Sequence, residues 1–122
     1  MKPEKSLPLD WEQPGLAAGL DCYNSGRFFD AHEHWEDAWR SLQGTQKPFL
    51  QALIQIAVAM HHFQHGNRLG AASLLVRARR RLEEFPPAFC GVDLDQLRTS
   101  LRAWQEALEQ PAASAPPPPL IR

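Results

Sequence analysis

One stretch, Phe28 to Arg40 (FFDAHEHWEDAWR), concentrates the side chains of this chain that could do chemistry. Read as a helix, it sets His32 and Glu36 one turn apart on a single face. A histidine and a carboxylate so placed can chelate a divalent metal ion, or act as a general base with the group that orients it. The pattern H-E-x-W-E is not the zincin H-E-x-x-H, because Glu36 stands where the second histidine would be. A two-residue chelate is incomplete, and the segment Phe49 to His65 offers His61, His62 and Gln55 to complete it. The same residues admit a plainer role: His32 bonded to Glu36, with Gln55 and His62, forms a buried polar network that fixes helix register. Trp35 and Trp39 are expected as core and pocket wall.

Five helices are expected to position these groups. Pro14 suits a first helical turn, followed at helical spacing by Leu16, Ala17, Leu20 and Tyr23, with Gly26 at the turn. The second helix is predicted from Arg27 to about Leu42, with Phe28, Ala31, Trp35, Ala38, Trp39 and Leu42 on its apolar face and Gly44 as its stop. Pro48 opens a third that runs to His65, stopped by Gly66. The fourth runs from Leu69 to Phe85, before Pro86 and Pro87. Asp93 can cap the fifth, whose stripe is Leu94, Leu97, Leu101, Trp104 and Leu108. No stretch alternates with period two, so no strand is expected. The third helix is apolar nearly all round and belongs at the centre. Gln51, Gln55 and His62 fall within about 40° of one another on it, at 100° per residue. Buried there without partners they would cost about 1–3 kcal/mol each, so partners or a wet pocket are expected.

Composition narrows the alternatives. The 122 residues carry a formal charge of −1, 43% hydrophobic residues and 22% charged ones, which fits one globular domain. Near-neutral charge argues against nucleic acid as a partner. Arg77, Arg79, Arg80 and Arg81 spread around the fourth helix, where Glu83 and Glu84 can pair with Arg79 and Arg80. The two cysteines, Cys22 and Cys90, lie far apart, which excludes a disulfide scaffold. The first residues show no secretory pattern and no apolar run is long enough to span a bilayer, so a cytoplasmic protein without membrane attachment is expected. The organisation expected is an N-terminal extension over 1–13, one helical domain over 14–110 and a proline-rich tail over 111–122. The tail reads as disordered or polyproline II, of the kind that can dock on an aromatic groove.

The chain resembles itself at an offset of 40. Ala17, Leu20, Tyr23, Gly26, Ala31, Trp35 and Ala38 align with Ala57, Met60, Phe63, Gly66, Ala71, Leu75 and Ala78. Each unit reads helix, glycine turn, helix, similar to tetratricopeptide-type hairpins. The expectation is an all-α bundle: two helical hairpins and a closing helix around a buried central helix.

The segments FFDAHEHWEDAWR and FLQALIQIAVAMHH, followed by Gly66-Asn67 and Gly70-Ala71, resemble the bacterial domain of unknown function 309 over roughly Leu16 to Phe85. Ala52 departs from the glycine usual there. The resemblance implies a small all-helical protein without an established activity, of a family described as predicted metal-dependent hydrolases. It marks His32, Glu33, Trp35, Glu36 and Trp39, then Gln55, His62, Gly66 and Asn67. The expected function is metal-dependent hydrolysis in a pocket between the second and third helices. His32, Glu36 and His62 would hold a divalent metal and Glu33 would be the base, while Trp35, Trp39, Gln51, Gln55, His61 and Asn67 line the pocket. The metal would bring the pKa of its water toward neutrality. The alternative is a non-catalytic, tetratricopeptide-like protein-interaction module. A small molecule or another protein is the expected partner, with a homo-oligomer left open.

Overall fold

Pro14 stands at the first position of helix α1 (Pro14–Asn24), where its missing N–H is no loss. The computed structural model describes residues 9–110 and 112–122. Helices α2 (Phe28–Trp39), α3 (Gln46–Gln64), α4 (Arg68–Leu82) and α5 (Leu94–Leu108) follow. The all-α expectation therefore holds, with helix ends shifted by a few residues. α2 stops at Trp39, short of the expected Leu42, and α3 begins two residues before Pro48. Asp93 caps α5 as expected, its carboxylate accepting from the Gln96 N–H at 3.0 Å. No helix among the described residues is long and apolar enough to cross a membrane.

The two predicted hairpins share one turn. Gly26 and Gly66 have φ of +80° and +78°, which a side chain would strain. Before them Ser25 and His65 have φ of −93° and −102°, and after them Arg27 and Asn67 have −91° and −90°. The Arg27 N–H donates to the Cys22 carbonyl at 2.8 Å, and the Asn67 N–H donates to the His62 carbonyl at 2.8 Å. Both are the backbone closure of a glycine-ended helix. Buried residues recur at the same offset: Leu16 with Ile56, Ala31 with Ala71, Trp35 with Leu75, Ala38 with Ala78.

α3 is the centre, as its composition demands. Phe49, Leu50, Leu53, Ile56 and Met60 are buried, and α3 packs on α2 at one side and α4 at the other. Each such side chain contributes roughly 1.5–3 kcal/mol on leaving water. α5 packs on α4, and two arginines cap across that contact. Arg98 of α5 donates to the carbonyls of Leu82 and Phe85 past the end of α4. Arg68 of α4 donates to Ala107 and Leu108 at the end of α5, both at 3.2 Å. The expected pairing of Arg79 and Arg80 with Glu83 and Glu84 does not occur among the described residues.

Two expectations are corrected. A two-stranded antiparallel hairpin, β1 (Ala88–Phe89) and β2 (Val92–Asp93), joins α4 to α5, pairing Phe89 with Val92. Its two turn residues, Cys90 and Gly91, have φ of +52° and +75°, the handedness that suits a two-residue hairpin. Strands of two residues are too short to show alternation. Secondly, residues 112–122 lie against the helices instead of extending freely. Trp104 Nε1 donates to the Pro117 carbonyl at 2.9 Å and the Tyr23 hydroxyl donates to Pro119 at 2.6 Å. Ile121 is buried. Residues 1–8 of the expected N-terminal extension lie outside the described residues. Leu9 and Trp11 are anchored: the Leu9 N–H meets Cys90 Sγ at 3.3 Å and Trp11 Nε1 donates to the Cys90 carbonyl at 2.7 Å.

Candidate functional site

His32, Glu36, His61 and His62 lie along the edge where α2 meets the end of α3. His32 is half-buried, with Nδ1 3.2 Å from the Phe29 carbonyl, which can only accept, so Nδ1 carries the proton. Nε2 then faces Glu36 Oε2 at 3.5 Å. Phe29, 45% exposed, ties the two helices together, its ring centroid 5.0 Å from both His32 and His61. His61 in turn lies 4.3 Å from His65 and 6.2 Å from His62. Burial first, then the proximity of His65, His62 and His32, holds the His61 imidazole below its ordinary pKa. The edge is thus a histidine and aromatic surface, open on one side.

His62 is occupied elsewhere. Asn67 Oδ1 accepts from the Gly70 N–H at 2.9 Å as the cap of α4, which turns its amide nitrogen toward His62 Nδ1 at 3.3 Å. An amide nitrogen only donates, so Nδ1 of His62 is the acceptor and Nε2 carries the proton in the neutral ring. That tautomer offers no lone pair for coordination at Nε2. Among the described residues no group of three or more His, Cys, Asp or Glu side chains is arranged to hold a metal ion. In this arrangement the residues do not make up a metal centre.

Glu33 points away from this edge. It lines a separate cleft of about 360 Å³ on the other side of α2, with Cys22, Arg27, Asp30, His34 and Asp37. Trp35 is fully buried, stacked on Tyr23 at 5.9 Å, and its indole N–H donates to Leu16. Trp39 closes the far end of α2, donating to the Lys47 carbonyl at 2.9 Å. Gln55 is buried with Oε1 unpartnered, and Gln51 is half-buried. The structure therefore brings together His32 with Glu36, His62 with Asn67, and His61 with its neighbours, but not Glu33 with any of them. Spacing missed Phe29 and His65. The doubled Phe28-Phe29 was the signal for the first, since one helix face cannot bury both.

Comparison with known proteins places this segment. Residues 16–74 match the family model for a domain of unknown function, DUF309. The match covers 59 of the 122 residues, just under half of the chain. The DUF309 match covers α1, α2, α3 and the first half of α4, ending before the Phe85 limit expected from the sequence. It takes in His32, Glu33, Glu36, Gln55, His62 and Asn67. The chain is also 30% identical over 99 residues to an uncharacterized protein of Aquifex aeolicus (strain VF5). That stretch is 80% of this chain and 30% of the relative, so the chain spans under a third of the relative's length.

Proposed function

We propose that this chain is a non-catalytic helical-hairpin module, tetratricopeptide-like in build, that binds a protein partner through the α2–α3 edge. One observation carries this reading: a single hairpin recurs at an offset of 40 residues, with the same glycine turn and the same buried ladder. Stacked hairpins present extended surfaces for other chains. Phe29, His32, Glu36, His61 and His65 stand on such a surface, half-buried or exposed, and not in an enclosed cavity. Aromatic groups at a partly wet edge suit a protein interface.

A photo-crosslinking phenylalanine analogue at Phe29 of the full chain should trap a discrete protein adduct in cells, while the analogue at Ser73 on α4 should not. Equal trapping at both positions, or none at Phe29, would overturn the reading.

Metal-dependent hydrolysis is the second reading. It is favoured by the His32 ring, whose Nδ1 is tied to a backbone carbonyl while Nε2 faces a carboxylate, the orientation of a general base or a metal ligand. It requires His62 to leave Asn67 and a further ligand to approach. Metal-dependent turnover of ester or phosphoester substrates, lost in His32→Ala and Glu36→Gln with helix content unchanged, would establish it over the first.

A further inference from the structure

The hairpin repeat places one aromatic residue near the end of α1 and one near the end of α3. Tyr23 on α1 and Phe63 on α3 are partners at the offset of 40, and Trp104 stands on the closing helix α5. Phe63 and Trp104 pack edge to face at 4.9 Å, with the Arg68 guanidinium 5.9 Å from the Phe63 ring. In solenoids of paired helices, the repeated helices of one kind line a common binding surface. Here that surface carries two hydrogen-bond donors, the Trp104 indole N–H and the Tyr23 hydroxyl. Burial pushes the Tyr23 phenol above its ordinary pKa, so it remains a donor.

The run Pro116 to Pro119 lies across this row. Prolines have no N–H and hold an extended backbone whose carbonyls are the only main-chain groups left to recognise. The two donors meet the carbonyls of Pro117 and Pro119, two residues apart. Pro119 and Ile121 are buried, while Leu120 between them is 57% exposed. Alternate side chains inserted and alternate carbonyls held is the pattern of a docked extended peptide.

We propose that Tyr23, Phe63 and Trp104 line a binding groove for proline-rich segments of the form Pro-x-Pro-x-aliphatic, which this chain's own residues 117–121 occupy as an intramolecular competitor. The groove goes beyond the α2–α3 edge: its donors come from α1 and α5, and it stands or falls independently of what that edge binds. A tethered segment acts at an effective concentration on the order of millimolar, so a partner's segment binds well only when the internal one is released.

The test uses the full chain with a protease recognition sequence inserted after Ser114, in the exposed stretch 112–115, and cut after folding. A fluorescent peptide of residues 115–122 should exchange into the cut protein saturably, and bind the uncut protein at least tenfold more weakly. Tyr23→Phe keeps the ring and removes the donor, and should weaken binding about 2- to 10-fold. A peptide with Ile121→Asp should not bind. Loss of the helical signal on cutting would overturn the proposal, because the segment would then be an inseparable part of the fold. So would a cut protein that stays folded and fails to bind the peptide, or that binds the Ile121→Asp peptide equally well.

Discussion

The α1–α2 and α3–α4 turns overlay in backbone and part company in side chains. At the positions held by Asp21, Cys22, Ser25 and Arg27 in the first, the second carries His61, His62, His65 and Asn67. Turn geometry is set by Gly26 and Gly66 and by the buried residues at matching positions beneath them. The first turn needs no histidine to adopt it, so the histidines of the second are surplus to the fold. Their clustering against Phe29 is what marks the α2–α3 edge, more than the His32–Glu36 spacing alone.

The comparison can be broken most severely in its buried ladder. Trp35→Ala should cost about 3–5 kcal/mol, and Leu75→Ala at the matching position about 2–5, read by denaturant unfolding. The adjoining rung is asymmetric. A Cβ on Gly19 would come within 2.3 Å of the Trp35 indole, whereas its counterpart Ala59 already holds one. Gly19→Ala should therefore cost about 1–3 kcal/mol through overpacking, and Ala59→Gly about 1 through helix propensity. If Gly19→Ala proves neutral, the two hairpins are less alike inside than their turns are.

Smaller effects sharpen the contrast at the turns. Gly26→Ala and Gly66→Ala should each cost about 1–2 kcal/mol, and equally, because both impose a side chain on a left-handed residue. Asn67 caps α4 while Arg27 makes no side-chain cap for α2. Asn67→Ala should then lose about 1 kcal/mol, and Arg27→Asn should gain a comparable amount.

The smallest effect is electrostatic. His61 has a folded pKa below its unfolded value, so the unfolded chain binds the proton more readily. Its contribution is intact above the unfolded pKa, near 6.5, and stability falls as pH drops through that value toward the folded one. Urea midpoints measured at successive pH values should show this decline, and His61→Gln should flatten it. An unchanged slope would place the acid sensitivity outside the cluster.

Much of this architecture was legible because its signals are local. Glycines at 26 and 66, prolines at helix starts, the cap at Asp93 and the all-round apolarity of α3 each act within a turn or two of themselves. The β-hairpin was not legible, since two-residue strands carry no period and the turn places a cysteine where glycine or asparagine is usual. The docked proline segment was half legible: its extended conformation is written in its composition, but Tyr23 lies 96 residues away. The site shows the same division. The i, i+4 relation of His32 and Glu36 follows from helical geometry alone. Whether His62 turns toward them or toward Asn67 depends on a cap five residues further along, and on the register in which α2 meets α3.

Trp11 and Leu9 hold the Cys90–Gly91 turn across separations of 79 and 81 residues, and Arg122 Nη1 reaches the Gly91 carbonyl at 3.2 Å. Every helix, by contrast, packs chiefly on its neighbour in sequence. Closing loops of about two-thirds of the chain is entropically disfavoured until the hairpins have shortened them. This clasp therefore assembles late on the way to the native state, and its release would free Leu9, Trp11 and the Arg122 side chain from the hairpin turn together.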